Sequence, residues 1–256
     1  MSRKNKRIEA VLFDLDDTIL DWSNRSESWG DVAREHVGKV CEFLATEGHA
    51  VPDKDAFVAR YQEIVVQSWD EAKKTWAAVR FRDVLHQTFD AFGLDVTRID
   101  FDVVMRVYDW RPVRGVVPFE DAIPVLQSLR RQGYKIGLVT NSMTPVWIRE
   151  IELKEFGLME FFDVRISSGD TGYMKPHPAI YQRALALLNT SPERAVFVGD
   201  RPGNDIAGAN NAGLVSVLMD PPHLAHELNG VRPDFTITRL CELLPILEQL
   251  ESDLQK

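Results

Sequence analysis

The chain has 256 residues, of which 45% are hydrophobic and 27% are charged, so it is long enough for one large or two smaller globular domains. Its net charge of −9, from 30 basic and 39 acidic residues, opposes binding to nucleic acids and to anionic membrane surfaces. An anionic small molecule would therefore need a local group of basic side chains.

The cysteines and the apolar runs indicate where the protein resides. Cys41 and Cys241 are the only cysteines, and they lie far apart without the spacing of metal ligands. This usage favours a reducing compartment and argues against structural zinc. The apolar run after the basic N-terminus is too short for a signal peptide, and no run reaches the roughly 20 residues of a membrane span. We therefore expect a soluble, cytoplasmic protein.

The first predicted element is a buried strand that ends in acids. Val11–Phe13 are apolar and strand-prone, and Asp14, Asp16, Asp17 and Thr18 follow them closely. Because alternate side chains of an extended chain share a face, Asp14 and Asp16 can point into the same space. Such a pair needs a cation or a proton nearby, although a solvated turn would also use these residue types. This stretch alone leaves both interpretations open.

A helical insert is predicted next, between residues 21 and 113. Helical spacing runs through Trp29–Glu47, Asp55–Trp69 and Ala72–Phe92, with no strand pattern before Val116. Five of the six tryptophans of the chain lie in or beside this insert, namely Trp22, Trp29, Trp69, Trp76 and Trp110. We interpret them mainly as anchors of a small core, while some could line a pocket.

Helices and strands alternate after a linker, residues 111–118, that contains two prolines and a glycine. Strands are predicted at residues 135–140, 162–166, 195–199 and 214–218, and helices at residues 120–132, 178–188, 205–211 and 238–250. This alternation predicts an α/β fold with a parallel, doubly wound sheet. The expected domains are a core of residues 1–20 and 114–256 and a helical cap of residues 21–113, which the linkers would allow to move as a unit.

Three of the predicted strands end in polar groups. The first is followed by Asp14 and Asp16, the second by Thr140-Asn141-Ser142, and a later one by Gly199-Asp200. Each could serve as a helix cap, but ligands of open parallel sheets bind where the strands end, and the agreement favours a shared site. Residues 140–142 also offer hydroxyl and N–H groups to an anion at the start of a helix.

Two later segments add charged groups to this expected crevice. Asp200 and Asp205 flank a turn that contains glycine and proline, and Lys175 precedes two prolines. The acids cannot all ionise together without a counter-charge. Mg²⁺ with oxygen ligands would provide that charge, and a substrate phosphate commonly completes its shell. The pattern predicts phosphoryl transfer involving a carboxylate nucleophile.

These stretches resemble the motifs of the haloacid dehalogenase superfamily. The four motifs match Asp14-x-Asp16-x-Thr18, Thr140, Lys175 and Gly199-Asp200-x-x-x-x-Asp205, in order and over nearly the whole chain. The helical insert resembles the cap of the C1-capped branch. The resemblance implies a Rossmann-like core of strand order 5-4-1-2-3, with the first strand between those that end at Thr140 and Asp200.

The resemblance also implies a role for each motif residue. Asp14 would be the nucleophile that forms an aspartyl-phosphate, and Asp16 the general acid and then the general base. Mg²⁺ would bind Asp14, Asp200 and the backbone carbonyl of Asp16. The phosphate-binding residues would be Thr140, Asn141 and Lys175, of which Lys175 is also catalytic, and the supporting residues would be Thr18 and Asp205.

Several activities of the superfamily fit these motifs. Its dehalogenases lack the second acid, so Asp16 favours a phosphatase acting on a small phosphorylated metabolite such as a sugar phosphate, a nucleotide or a phospho-acid. A phosphomutase is the first alternative, followed by a 2-haloacid dehalogenase and an inactive phospho-ligand-binding module. Basic cap residues that could contact the leaving group, or simply be solvated, are Lys73, Lys74, Arg80 and Arg82. His177 is given no role, and the sequence predicts no oligomeric state.

Overall fold

A computed structural model describes residues 8–224 and 226–252 of the chain. The strands, in chain order, are β1 (Ala10–Phe13), β2 (Leu20–Asp21), β3 (Val117–Pro118), β4 (Lys135–Thr140), β5 (Val164–Ser167), β6 (Ala195–Gly199), β7 (Val215–Met219) and β8 (Phe235–Ile237). The α-helices are α1 (Trp29–Thr46), α2 (Lys54–Thr75), α3 (Phe81–Ala91), α4 (Phe101–Tyr108), α5 (Ala122–Arg131), α6 (Val146–Glu155), α7 (Ser168–Thr171), α8 (Pro178–Leu187), α9 (Ala207–Ala212) and α10 (Leu243–Ser252).

A parallel sheet with strand order β5-β4-β1-β6-β7-β8 forms the centre of the fold. Phe13 of β1 pairs with Leu138 of β4 on one side and with Val198 of β6 on the other. The first strand therefore lies between the two strands whose ends carry Thr140 and Asp200, as expected. The five-strand order is also present, but β8 extends the sheet by a sixth strand. The sequence analysis omitted β8 because three residues on an edge carry too little apolar pattern.

Successive residues of β1 face two different layers of helices, as extended backbone requires. Leu12 belongs to a buried cluster with residues of α8 and α9. Val11 and Phe13 belong to a second cluster that includes residues of α5, α6 and α10. Burial on both faces explains the continuous apolar composition of the strand and leaves its C-terminal end as the place for polar groups.

Four helices, α1 to α4, follow β2 and pack on one another. The predicted break after Trp69 is wrong, because α2 continues to Thr75 and α3 begins only at Phe81. Asp70 and Glu71 interrupt the apolar pattern, but they form exposed ion pairs with Lys73 and Lys74 on the same helix. Charged residues on a solvated face are compatible with a continuous helix.

Two linkers connect the helical segment to β2 and β3 and run side by side: the first linker is residues 22–28, and the second is residues 109–116. β2 pairs with β3 in a small antiparallel sheet, so the expectation of no strand before Val116 is wrong; two residues are too few to show a pattern. Arg111 lies 2.7 Å from Glu27 and 2.5 Å from Glu35, which joins the second linker to the first linker and to α1. These contacts hold both ends of the helical segment beside the core.

The structure also describes both cysteines and the length and composition of the helices. Cys41 and Cys241 are free thiols. Among the helices that the structure describes, none is both long enough and apolar enough for a membrane crossing.

The closeness of the two linkers can be tested with two glycines of matched backbone conformation. Gly115 has a φ of +85°, and a Cβ there would collide with the carbonyl oxygen of Asn24. Gly133 has a φ of +83°, and among the described residues no atom lies within 4 Å of an added Cβ. We expect Gly133→Ala to cost about 1 kcal/mol through backbone strain. Gly115→Ala should cost roughly 1–3 kcal/mol more, because the linkers must move apart. Urea unfolding measures both losses, and equal losses would contradict the contact.

Candidate active site

Lys175 lies between two buried carboxylates at the C-terminal end of β1. Its Nζ atom is 2.7 Å from Asp14 Oδ1 and 2.7 Å from Asp205 Oδ1. Burial by itself would lower the pKa of Lys175, but the two carboxylates outweigh burial and raise the pKa. The ammonium is therefore charged, and it compensates part of the negative charge around it.

Asn141 positions the backbone of Lys175 through two hydrogen bonds. The Lys175 N–H donates to Asn141 Oδ1 at 2.8 Å, and Asn141 Nδ2 donates to the Lys175 carbonyl at 2.9 Å. Asn141 follows β4 directly, so the end of that strand determines where the lysine enters the site. Thr140, the last residue of β4, is buried and lines the same cavity as Asp14 and Lys175. The expected phosphate-binding residues are thus brought together.

The acids of the motifs form a compact group. Asp14, Asp200 and Asp205 are buried, and each offers a carboxylate oxygen within 4.8 Å of the others. Burial raises the pKa of Asp200 to about 9, with further contributions from Asp205 and Asp14. Burial also raises the pKa of Asp14, against the opposing effect of Lys175. If all three carboxylates were ionised, the Lys175 ammonium would balance only part of their charge.

The loop after β6 brings Asp205 back to the strand end. Asp205 Oδ2 accepts a hydrogen bond from the Arg201 N–H at 2.9 Å. A Cβ on Gly199 would overlap the Asp205 carboxylate, so a glycine is required where the loop leaves the strand. The Tyr181 hydroxyl of α8 donates a hydrogen bond to the Asn204 carbonyl at 2.7 Å, which connects the loop to that helix.

Asp16 points toward different partners from those of Asp14. Its Oδ1 atom accepts hydrogen bonds from Arg149 Nη2 at 2.6 Å and from Trp22 Nε1 at 3.0 Å. The Arg149 side chain is only 6% exposed, and its Nε atom lies 3.0 Å from Glu152 Oε2. Glu152 Oε1 in turn accepts from Trp110 Nε1 at 3.2 Å. A continuous polar chain therefore connects Asp16 to residues of both linkers.

The sequence analysis did not identify Arg149 or Glu152. The detectable signal was a charged pair spaced i,i+3 between the buried apolar residues Ile148 and Leu153 of α6. Charged groups on a buried helix face require partners. Burial raises the pKa of Glu152 to about 7, with Arg149 opposing the shift, while Asp16 and Glu152 raise the pKa of Arg149 against the lowering effect of burial.

The structure also shows where Thr18, His177 and the helix predicted after Ser142 lie. Thr18 is fully buried in the loop that carries Asp14 and Asp16, and its supporting role stays a prediction. The helix expected directly after Ser142 begins only at Val146, whose N–H donates to Asp170. That helix start is therefore already occupied by a protein carboxylate. His177 caps α8 by accepting from the Ala179 N–H, which is a structural role.

A cavity of about 980 Å³ opens from this cluster toward α1 and α2. It is lined by four tryptophans, Trp22, Trp29, Trp69 and Trp76. The prediction that the tryptophans anchor a small core holds for Trp110, which is 8% exposed. It is incomplete for Trp29, which is 54% exposed. Of the basic residues proposed for specificity, Lys73 lines the cavity, whereas Arg80 and Arg82 line others. Arg25, Arg201 and His223 also line it and were not predicted.

Comparison with known proteins agrees with this geometry. Residues 8–213 match the family of haloacid dehalogenase-like hydrolases. The chain belongs to this family. Among curated relatives of this hydrolase, the glyceraldehyde 3-phosphate phosphatase of Methanopyrus kandleri is 30% identical over 96% of the chain and 100% of the relative. The pyrophosphatase PpaX of Bacillus cereus is 38% identical over 95% of the chain and 98% of the relative.

Solved structures related to this hydrolase include members with different names. A HAD phosphatase from Thermococcus onnurineus is 28% identical with a TM-score of 0.63, covering 94% of the chain and 98% of that structure. A 2-haloacid dehalogenase from Pseudomonas syringae is 26% identical with a TM-score of 0.65, covering 94% and 99%. The fold is therefore shared by phosphatases and dehalogenases, and side chains must distinguish the activities.

The buried Arg149–Glu152 pair generates a prediction about stability and pH. Because the pKa of Glu152 is higher in the folded than in the unfolded protein, its stabilising contribution is present at low pH and is lost as the pH rises toward about 7. Glu152→Gln retains an acceptor for Trp110 and does not titrate. The free energy of unfolding of the variant relative to wild type should rise by roughly 1–3 kcal/mol from about pH 5 to pH 8.

Chemical unfolding at several pH values measures this difference. Glu155→Gln, on the exposed side of α6, controls for the removal of one negative charge. A difference between Glu152→Gln and wild type that is independent of pH would contradict the raised pKa.

Proposed function

We propose that this hydrolase is a Mg²⁺-dependent phosphatase that acts on a small phosphorylated metabolite through an aspartyl-phosphate intermediate. The main observation that supports this proposal is the ion pair between Lys175 Nζ and Asp14 Oδ1, which lie 2.7 Å apart in the lining of an open cavity. A cationic group beside a carboxylate nucleophile suits an incoming phosphoryl group. The relatives named as phosphatase and pyrophosphatase support phosphoryl chemistry.

The acidic cluster fits a divalent cation. Asp200 Oδ1 is buried and, among the described residues, has no hydrogen-bond partner. Lys175 balances only part of the charge of the three acids, so a hard cation with oxygen ligands would satisfy the remainder. Asp14, Asp200 and the backbone carbonyl of Asp16 would hold Mg²⁺, while Asp205 stays paired with Lys175. When bound, Mg²⁺ would neutralise charge on the carboxylates and on the phosphoryl oxygens.

The chain's own residues would then carry out two displacements. An Asp14 oxygen attacks phosphorus, the ester P–O bond breaks, and the leaving oxygen takes a proton from Asp16. Asp16 next removes a proton from water, which attacks the phosphorus of the aspartyl-phosphate and releases phosphate and free Asp14. Lys175, Thr140 and Asn141 would bind the phosphoryl oxygens in both steps.

Arg149 would be a positioning residue for Asp16. Among the described residues, the two hydrogen bonds to the Asp16 side chain both use Oδ1, so Oδ2 would carry the transferred proton. Arg149 is held in turn by Glu152, and Glu152 by Trp110. The orientation of the acid would thus depend on residues outside the catalytic motifs.

We also propose that residues 21–113 act as a cap on a core of residues 1–20 and 114–256, and that the protein is cytoplasmic. The adjacent linkers, joined by Arg111, support the first proposal. The two free cysteines support the second.

The nucleophile assignment is tested by Asp14→Asn, which removes the attacking charge and keeps the shape. Hydrolysis of p-nitrophenyl phosphate should require Mg²⁺, stop with a chelator, and fall by about 10³-fold or more in the variant. Asp21→Asn, in β2, is a control that should keep activity. Retained activity in Asp14→Asn would contradict the assignment. Chloride release from 2-chloropropionate would favour a dehalogenase, and isomerisation of a sugar phosphate that retains its phosphate would favour a phosphomutase.

The positioning role of Arg149 predicts a dependence on the leaving group. p-Nitrophenolate is a stable anion that leaves readily without protonation. An alkoxide is a poor leaving group and needs a proton from the general acid. In Arg149→Met/Glu152→Gln, which removes both buried charges, kcat should fall about tenfold or more for an alkyl phosphate and only slightly for p-nitrophenyl phosphate. Arg149→Lys should restore part of the loss. Equal losses for both substrates would indicate a structural role only.

A further inference from the structure

The cavity of about 980 Å³ is much larger than a phosphoryl group requires, and part of its lining is aromatic. We call Trp22, Trp29, Trp69 and Trp76 the tryptophan wall; all four line the same cavity as Asp14 and Lys175. The wall begins beside the reacting groups, because Trp22 Nε1 donates to Asp16 at 3.0 Å. Cavities of this size accommodate whole small molecules. A leaving group attached to the phosphate would therefore lie against the wall.

Packing alone does not explain the wall. Trp29 is 54% exposed although it stands at the start of a helix whose other face is buried. Its ring centroid is 5.5 Å from that of Trp22, with planes tilted by 33°, and the Arg25 guanidinium lies 5.7 Å from the ring centroid. These neighbours fix the exposed ring in place, so a ligand would not have to order it.

Trp76, another member of the wall, lies on a backbone segment that pairs with the loop before Lys175. Trp76 has a φ of +57°, a left-handed conformation that is unfavourable for a bulky residue. Hydrogen bonds on both sides hold it there: the Met174 N–H donates to the Trp76 carbonyl, and the Ala78 N–H donates to the Gly172 carbonyl, each at 3.0 Å. Lys175 follows Met174 directly. The backbone segments that carry the Trp76 indole and the Lys175 ammonium are therefore held together.

We propose that the tryptophan wall binds a flat aromatic ring of the leaving group and that the substrates are nucleoside 5′-monophosphates. This inference rests on the proposed phosphatase activity and specifies its substrate class. Indole faces stack on nucleobases with little dependence on the base. A sugar phosphate without a base would leave much of this aromatic surface uncovered, because it has no flat ring of matching size. In a nucleotide the sugar separates base and phosphate, so both ends of the cavity would be used.

A matched pair of substrates isolates the contribution of the base. Adenosine 5′-monophosphate and ribose 5-phosphate present the same phosphate ester and differ at the base. We expect kcat/KM to be at least about tenfold higher for the nucleotide. Trp29→Ala should raise KM for the nucleotide by about tenfold and should change kcat/KM for ribose 5-phosphate much less. Trp147→Ala is the matched control, since Trp147 is 46% exposed and lines a different cavity.

The outcomes separate this inference from the activity on which it rests. Equal kcat/KM values for the two substrates, or equal effects of Trp29→Ala on both, would overturn the inference and leave the phosphatase intact. Failure to hydrolyse p-nitrophenyl phosphate would instead overturn the proposed function. In that event the affinities of Asp14→Asn for adenosine 5′-monophosphate and ribose 5-phosphate, measured by calorimetric titration in the presence of Mg²⁺, still test whether the wall binds a base. Tighter binding of adenosine 5′-monophosphate supports it, and equal or undetectable binding overturns it.

Discussion

The site depends on one buried ammonium group held between two buried carboxylates. Without Lys175, Asp14 and Asp205 would face each other in a region with little water, where like charges cannot both persist. The parallel sheet makes this arrangement possible, because β1 lies between β4 and β6 and places Asp14 beside the ends of both. Asn141 then fixes the backbone of the lysine. Residues distant in the chain thereby form one compact polar cluster at the end of the sheet.

A second polar chain connects the site to the helical segment. Trp22 and Arg149 bind the same oxygen of Asp16, and Arg149 continues through Glu152 to Trp110. Trp22 lies in the first linker and Trp110 in the second. Movement of the linkers would therefore change the surroundings of the proposed acid, while the Lys175 cluster would remain fixed by the sheet. This separation would give a physical basis for coupling the proposed movement of the cap to the proposed proton transfer.

The parts of the structure that the sequence predicts are those under the strongest local constraint. β4 and β6 have the predicted bounds because strands buried on both faces must be apolar throughout. β2 and β8 were missed because two or three residues show no periodicity. The Arg149–Glu152 pair was missed because its partners lie far away in the chain. The lining of the cavity by the tryptophans depends on how helices α1 and α2 face the sheet, which their own periodicity does not specify.

The central claim is that the Asp14 carboxylate accepts the phosphoryl group from the substrate. Rapid acid quench of the wild-type protein during turnover of a phosphomonoester, followed by mass spectrometry of the peptide that contains Asp14, tests this directly. Acid preserves an acyl phosphate long enough for digestion at low pH. The predicted result is one additional phosphoryl group on Asp14 that disappears when the substrate is exhausted. Turnover with no phosphoryl group on Asp14 at any quench time, or with the group on another residue, would contradict the claim.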